Sequence, residues 1–248
     1  MFLPVRDHNP SEKTPVVTTG LIAINVLVFL SYHFRLSDRE LVWFYAQWAL
    51  VPDLVLQGYG PHTVLTSMFL HGGILHLAGN MLFLWIFGDN LESDLGRVRY
   101  LLFYLTCGIG AALAHVFSDP LSIVPTVGAS GAVAGVMGGY LLLYPRARVD
   151  VMLFLIVFLR IFSIPAWIWL GIWFLLQVIL SGGTDPGSGG VAYWAHIGGF
   201  ALGFLLIVPT WLRLGATSFW RRTHGHPDHP DARYRLTGSR IPMVRRRR

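Results

Sequence analysis

Six apolar runs, at about residues 16–34, 64–88, 98–117, 130–144, 164–181 and 191–212, occupy nearly half of the 248-residue chain. A helix needs about 20 such residues to cross the hydrocarbon of a bilayer. Inside that hydrocarbon every backbone polar group must be satisfied within the protein, which is why long apolar runs cross as helices. The composition agrees: 54% of residues are hydrophobic and 13% charged, against about 25% charged in ordinary soluble domains. The chain therefore reads as an all-α, multi-pass integral membrane protein with six transmembrane helices. A further apolar stretch at 151–159 ends at Arg160 and is too short to span, so it is expected at the inner interface or as a lead-in to the fifth helix. The first run follows Pro15 without a cleavage signal and is expected to stay in the protein as a helix.

Charge sets the orientation. The net charge is +6, but residues 213–248 hold ten arginines against Asp228 and Asp231, a local +8 that leaves the rest of the chain at −2. No basic body for nucleic acid is expected. The tail reads as a disordered, topology-fixing cytoplasmic segment that lies within reach of anionic headgroups. With the N-terminus inside, the inner segments carry Arg6, Lys13, Arg97, Arg99, Arg146, Arg148 and the tail, and the outer ones only Arg35 and Arg39. The outer loop at 182–190 has no basic residue. Both termini are thus expected in the cytoplasm, with residues 1–15 a polar cytoplasmic lead, 16–212 the membrane domain, and a bacterial plasma membrane the expected location. Residues 35–63, with Trp43, Phe44, Tyr45, Trp48 and Tyr59, read as an outer loop partly in the headgroup region. The single cysteine, Cys107, rules out an internal disulfide and reads as packing.

Polar groups buried in hydrocarbon cost several kcal/mol unless paired, so those within the runs are functional candidates. Ser130, in Gly128-Ala129-Ser130-Gly131, begins the fourth run. His196, in Ala195-His196-Ile197-Gly198-Gly199, lies about five residues into the sixth. His76 and Asn80 lie four apart on one helical face near the outer end of the second. The fourth run is roughly 22 Å long as a helix against about 30 Å of hydrocarbon. Its apolar lead, 121–127, is expected to dip into the membrane and place Ser130 at a recessed helix N-terminus, where free amides favour negative charge. All these groups then lie at similar depth on the outer side.

Roles follow from the chemistry. Ser130 is placed to attack a carbonyl, and neutral His196 to take its proton and return it to the leaving amine. No acidic residue falls in the outer half of a run, so a Ser-His dyad is expected rather than a triad. The Ser130 amide, the His76 ring and the Asn80 amide are the expected oxyanion donors. Gly131, Gly135 and Gly139, with Gly199 and Gly203, repeat at the spacing that lets helix backbones approach. That repeat alone reads as ordinary packing; beside Ser130 and His196 it supplies a way to bring hydroxyl and imidazole together. His71, next to Gly72-Gly73, reads as a loop-fixing residue and His115 as structural, while His224, His226 and His229 read as part of a solvated tail. No metal and no cofactor are expected, and there is no His-Glu-x-x-His motif.

Taken in order, Thr66-Ser67-Met68-Phe69-Leu70-His71, His76 and Asn80, then Gly88, Glu92 and Gly96, then Gly128-Ala129-Ser130-Gly131 and Ala195-His196-Ile197-Gly198-Gly199 resemble the rhomboid family of intramembrane serine proteases, from about residue 58 to 212. The resemblance implies a six-transmembrane-helix bundle with a recessed outer-side active site and a Ser130–His196 dyad. It also implies an oxyanion hole of His76, Asn80 and the Ser130 amide, with His71, Gly128, Gly131 and Gly199 as structural residues beside it. Single-pass transmembrane proteins would be the substrates, cut near the outer surface after small residues, with the lipid bilayer as the medium. The fifth helix, with Trp167, Trp169 and Trp173, is by the same resemblance a candidate lateral gate. Two departures stand out. Many relatives carry Trp-Arg before the position of Thr66, where this chain has His62-Thr63-Val64-Leu65, and many carry an aromatic one turn after the serine, where this chain has Ala134. The rival readings are a catalytically silent rhomboid-like protein that binds membrane helices, and a transporter or metal carrier using His71, His76 and His196. The oligomeric state is left open.

Overall fold

A helix that starts inside a membrane protein must find partners for its first amides. At the start of α1 (Val16–Tyr32) those partners come from another helix. The buried Glu92 carboxylate accepts from the Val17 amide at 2.9 Å, the Thr18 amide at 2.8 Å and the Thr18 hydroxyl at 2.9 Å. Negative charge at a helix N-terminus is favourable, so this contact stitches α1 to the C-terminal end of α5 (Ile74–Leu95). The computed structural model that shows this describes residues 2–9, 11, 13–155, 158–183 and 190–223. Residues 184–189, in the loop expected on the outer side, and the tail from 224, with its three histidines and most of its arginines, lie outside the described residues.

The six apolar runs appear as α1, α5, α6 (Arg97–Ser118), α7 (Ser130–Leu143), α8 (Ala166–Ser181) and α9 (Tyr193–Leu214). Three of them, α5, α6 and α9, are long and apolar enough to cross a membrane; α1, α7 and α8 are shorter apolar helices. The central one is α7, buried almost all round, as expected of a helix without a polar face. The second run needs correction at both ends. Its first residues form a short helix α4 (Thr63–Thr66) and a 3-10 turn (Ser67–Phe69), and α5 begins only after Gly72-Gly73. At the other end α5 runs on to Leu95 because Asp89, Asn90 and Glu92 there have partners, and Gly96, with φ of 76°, ends it. The segment 35–63, expected on the outer side, folds into α2 (Asp38–Trp48), capped reciprocally by Ser37 and Glu40, and α3 (Pro52–Leu56). Phe44 and Tyr45 pack on Tyr32 while Trp43 and Tyr59 stay exposed.

The helical bundle also carries a small sheet. The polar lead forms β1 (Phe2–Asp7), and the stretch expected at the interface or as a lead-in is instead β2 (Arg148–Leu155) and β3 (Phe158–Pro165), antiparallel in the order β1-β2-β3. Alternation decides it: Val149 and Val151 face inward and are buried, while Asp150 turns to Arg6 at 2.7 Å and His8 at 2.8 Å. Asp7 points inward, accepting from Tyr140 at 2.8 Å and Asn90 at 3.0 Å. Burial, with Asp89 nearby, pushes the Asp7 carboxyl up to about 7 against those lowering bonds, so near neutral pH the strand end can dock as a neutral acid. Beyond α9, α10 (Thr217–Thr223) turns back on Gly215, burying Phe219 and giving the Trp220 indole N–H to the Leu142 carbonyl at 2.9 Å.

The tightest packing lies between α7 and α9. A Cβ on Gly203 would stand 2.0 Å from the Gly135 carbonyl oxygen, one on Gly199 2.0 Å from that of Gly131, and one on Gly138 2.2 Å from that of Phe200. The stripe on α7 is therefore Gly131, Gly135 and Gly138; the expected third member, Gly139, faces Leu91 and Phe103 instead. A turn of 3.6 residues explains the shift, since a strict four-residue step drifts off the contact face. Because the obstacle is backbone, Gly203→Ala should cost about 1–3 kcal/mol or more. Gly171→Ala on α8, whose Cβ meets nothing within 4 Å, should be neutral or stabilise by up to about 1 kcal/mol. Thermal unfolding in detergent measures both, and equal midpoints would refute the contact.

Candidate functional site

Gly128 cannot carry a side chain without disturbing what surrounds it. Its φ is 134°, a value that L side chains rarely adopt, and its amide donates to the Ser67 carbonyl at 2.9 Å. A Cβ there would lie 2.8 Å from His76 Nε2 and 3.5 Å from Ser130 Oγ, so imidazole and hydroxyl flank the same bare backbone. The loop leading to it is pinned from outside: Thr126 and Leu50 exchange backbone bonds of 3.0 and 2.7 Å, and the Asp53 amide reaches the Ser122 carbonyl at 3.1 Å. Ser130 is the first residue of α7, where the amides of the opening turn have no partner within the helix.

A cavity of about 820 Å³ opens over this point, and Ser130, His196, His76, Asn80 and Gly128 all line it. His76 stands in the first turn of α5. The Gly72 amide approaches its Nδ1 at 3.4 Å, which makes Nδ1 the acceptor and Nε2, toward Gly128, the nitrogen bearing hydrogen. Asn80 lies one turn further on, buried, and its Nδ2 has no partner among the described residues. His196, near the start of α9, receives no hydrogen bond from Ser130; hydroxyl and imidazole meet only across the cavity. Catalytic contacts often close only once substrate is bound. His71 is fully buried beside the site: its amide donates to the Tyr32 hydroxyl at 2.7 Å, its carbonyl accepts from Tyr32 at 2.7 Å and Tyr45 at 3.2 Å, and its ring meets His76 edge-on at 5.1 Å. Gly131 and Gly199 act one layer lower, in the backbone contact that brings α7 and α9 together.

Three residues take a place at the site that the sequence reading did not give them, Trp173 having been named only with the candidate gate. Gln177 of α8 accepts at Oε1 from His196 Nδ1, 2.9 Å away, and Trp173, one turn before it, sets its ring 5.7 Å from the imidazole. His196 is thus held from α8 although α7 offers only Ala134. The signal was present: an amide side chain in an otherwise apolar run demands a partner. Thr126 is the third, meeting His115 Nε2 at 2.9 Å, so His115 has a fixed place in the cavity wall. The outer loop, lacking Trp-Arg, is anchored by Thr66 Oγ1 on the Trp48 carbonyl at 2.8 Å and His62 Nε2 on the Gln47 carbonyl at 3.0 Å. Trp169 packs inward on Phe83 and Phe87 while Trp167 stays exposed. Among the described residues no three His, Cys, Asp or Glu side chains gather as a metal site.

Known proteins share this arrangement of sequence. Residues 60–213 match the model of the Rhomboid domain. The chain is 32% identical over 148 residues to Rhomboid protein 1, mitochondrial, of Saccharomyces cerevisiae, covering 58% of this chain and 40% of that one. It is 35% identical over 158 residues to the RHOMBOID-like protein 6, mitochondrial, of Arabidopsis thaliana, covering 62% and 46%. It is 35% identical over 127 residues to the rhomboid protease GluP of Bacillus subtilis, covering 51% and 24%. The matched region is therefore less than half the length of each of these relatives.

The bare backbone at 128 can be tested by stability alone. Gly128→Ala would force a Cβ against His76 at a strained φ, at a cost of about 1–3 kcal/mol. Gly79→Ala on α5, where a Cβ meets nothing within 4 Å, should be neutral or gain up to about 1 kcal/mol. Chemical unfolding in micelles reads both, and a Gly128→Ala protein as stable as wild type would show that the loop has room to spare.

Proposed function

Because the chain belongs to the rhomboid family, we propose that this integral membrane protein is an intramembrane serine protease. One observation carries the reading: a serine at a helix start and a histidine with its Nδ1 already engaged share one cavity with a buried amide donor that has no partner among the described residues. Ser130 Oγ attacks the carbonyl carbon of the scissile peptide while His196 Nε2 takes the hydroxyl proton. The developing oxyanion accepts hydrogen bonds from the Ser130 amide, His76 Nε2–H and Asn80 Nδ2–H. The imidazolium then protonates the leaving amine, the C–N bond breaks, and an acyl-Ser130 remains. Water repeats the sequence, giving its proton to His196 as it attacks the ester, and the carboxylate product leaves with Ser130 restored.

The substrates of this reading are single-pass transmembrane proteins cut near the outer surface. The arginine distribution supports cytoplasmic termini, and the proposed location is a bacterial plasma membrane. The orientation is checked by tagging each terminus in sealed right-side-out vesicles: both tags should resist added protease, and digestion of either reverses the topology.

The chemistry is tested by cleavage of a reporter single-pass protein in proteoliposomes. Ser130→Ala and His196→Ala should fall to background with the fold intact. His76→Ala and Asn80→Ala should each lower turnover about 10²–10³-fold, the usual loss for one oxyanion donor. Undiminished cleavage by Ser130→Ala would sink the mechanism; binding of the reporter with no turnover in any variant would leave the helix-binding reading in its place.

A further inference from the structure

A neutral histidine serves as a base only through the ring nitrogen that lacks hydrogen, so the tautomer of His196 decides whether it can act on Ser130. The cavity lies on the Nε2 side, because Nδ1 is turned to α8. There Gln177 Nε2 donates to the Trp173 carbonyl at 3.2 Å, one turn back in its own helix, and this fixes the amide so that Oε1 faces His196 Nδ1 at 2.9 Å. An amide oxygen only accepts. Nδ1 must then carry the hydrogen, and the Nε2 lone pair is left facing the cavity. Gln177 is buried, and among the described residues no carboxylate bonds to His196.

We propose that Gln177 is a positioning residue for the reaction proposed above, a neutral amide that sets the tautomer and ring orientation of His196 where the soluble serine proteases use a carboxylate. The inference rests on that reading of Ser130 and His196, but the tautomer is a property of the protein whether or not it cleaves anything. Without an acceptor at Nδ1 the two tautomers compete, and the Nε2–H form offers Ser130 no lone pair. A wrong tautomer can remove most of what a general base contributes, about 10²–10⁴-fold.

Two measurements on the full-length protein in bilayers decide it. The first is cleavage of the reporter by wild type, Gln177→Met, which keeps the volume and loses the acceptor, and Gln177→Glu, which keeps an acceptor oxygen. Gln177→Met should lower kcat at least about tenfold with KM little changed, and Gln177→Glu should recover most of it. The second is ¹⁵N-histidine spectroscopy at neutral pH, with the His196 signals assigned by their loss in His196→Ala. His196 should be Nδ1–H in wild type and Gln177→Glu, and mixed or Nε2–H in Gln177→Met. Wild-type turnover in Gln177→Met, or an Nε2–H tautomer in wild type, overturns the proposal. So does an equal loss in both variants with a lowered thermal midpoint, which would mark Gln177 as packing only. If wild type and Ser130→Ala are equally silent, the protease reading fails, and the spectra still decide the role of Gln177.

Discussion

The approach of α7 to α9 sets the geometry on which the rest of this molecule depends. Gly131 faces Gly199 and Gly135 faces Gly203, a common step of four residues in the same direction, so the two helices run parallel with backbones in contact. In lipid, apolar side chains gain nothing by leaving their surroundings, and close packing of small residues is what holds helices together. The register of that contact fixes the relative height of the residues just above it. Ser130 stands one residue before the first contact on α7, and His196 three residues before it on α9. Neither side chain needs to hold the other; the glycines below them do the positioning.

Buried polar groups in the bundle sort into two kinds by their partners. Glu92 is spent on the start of α1, Asp7 on Tyr140 and Asn90, and the His71 backbone on Tyr32. Each ties one element to another, and each partner set lies within the protein. Asn80 stands on the wall of a cavity, its Nδ2 buried with no partner among the described residues. An unsatisfied buried donor costs about 1–3 kcal/mol. The His71 ring nitrogens and Trp211 Nε1 are also buried without a partner among the described residues, so it is the place of Asn80 on the cavity wall, one turn from His76, that supports a binding role.

How much of this was legible in the sequence follows from the range of each interaction. Hydrophobic length is local, so the six helices could be read, with errors where local polarity was settled by distant partners. α5 extends past Asp89 and Glu92 because α1 and β1 supply their contacts, and it starts late because Gly72-Gly73 breaks a run that hydropathy alone treats as continuous. The sheet was not legible at all: β1 pairs with β2 across more than a hundred residues, and a short strand has too little pattern to announce so distant a partner. Among site residues, Ser130, His196, His76 and Asn80 were visible as polar intruders in apolar helices, and the structure lines one cavity with all four. Gln177 obeys the same rule, but an amide in an apolar run does not announce which helix holds its partner, and His196 lies 19 residues on in α9.

Gln177 also changes what α8 means for the molecule. This helix turns Trp167, Ile172, Leu175, Leu176 and Ile179 outward, an apolar face with no protein against it, while its other side carries the amide bonded to His196. A hydrogen bond of 2.9 Å weakens steeply once its partners separate or tilt, whereas Trp173 and Phe174 against Phe200 are ring contacts that tolerate sliding. Any outward displacement of α8 therefore releases the imidazole before it unpacks the helix. In the reaction proposed above, His196 is therefore oriented as a base only while α8 is seated against it.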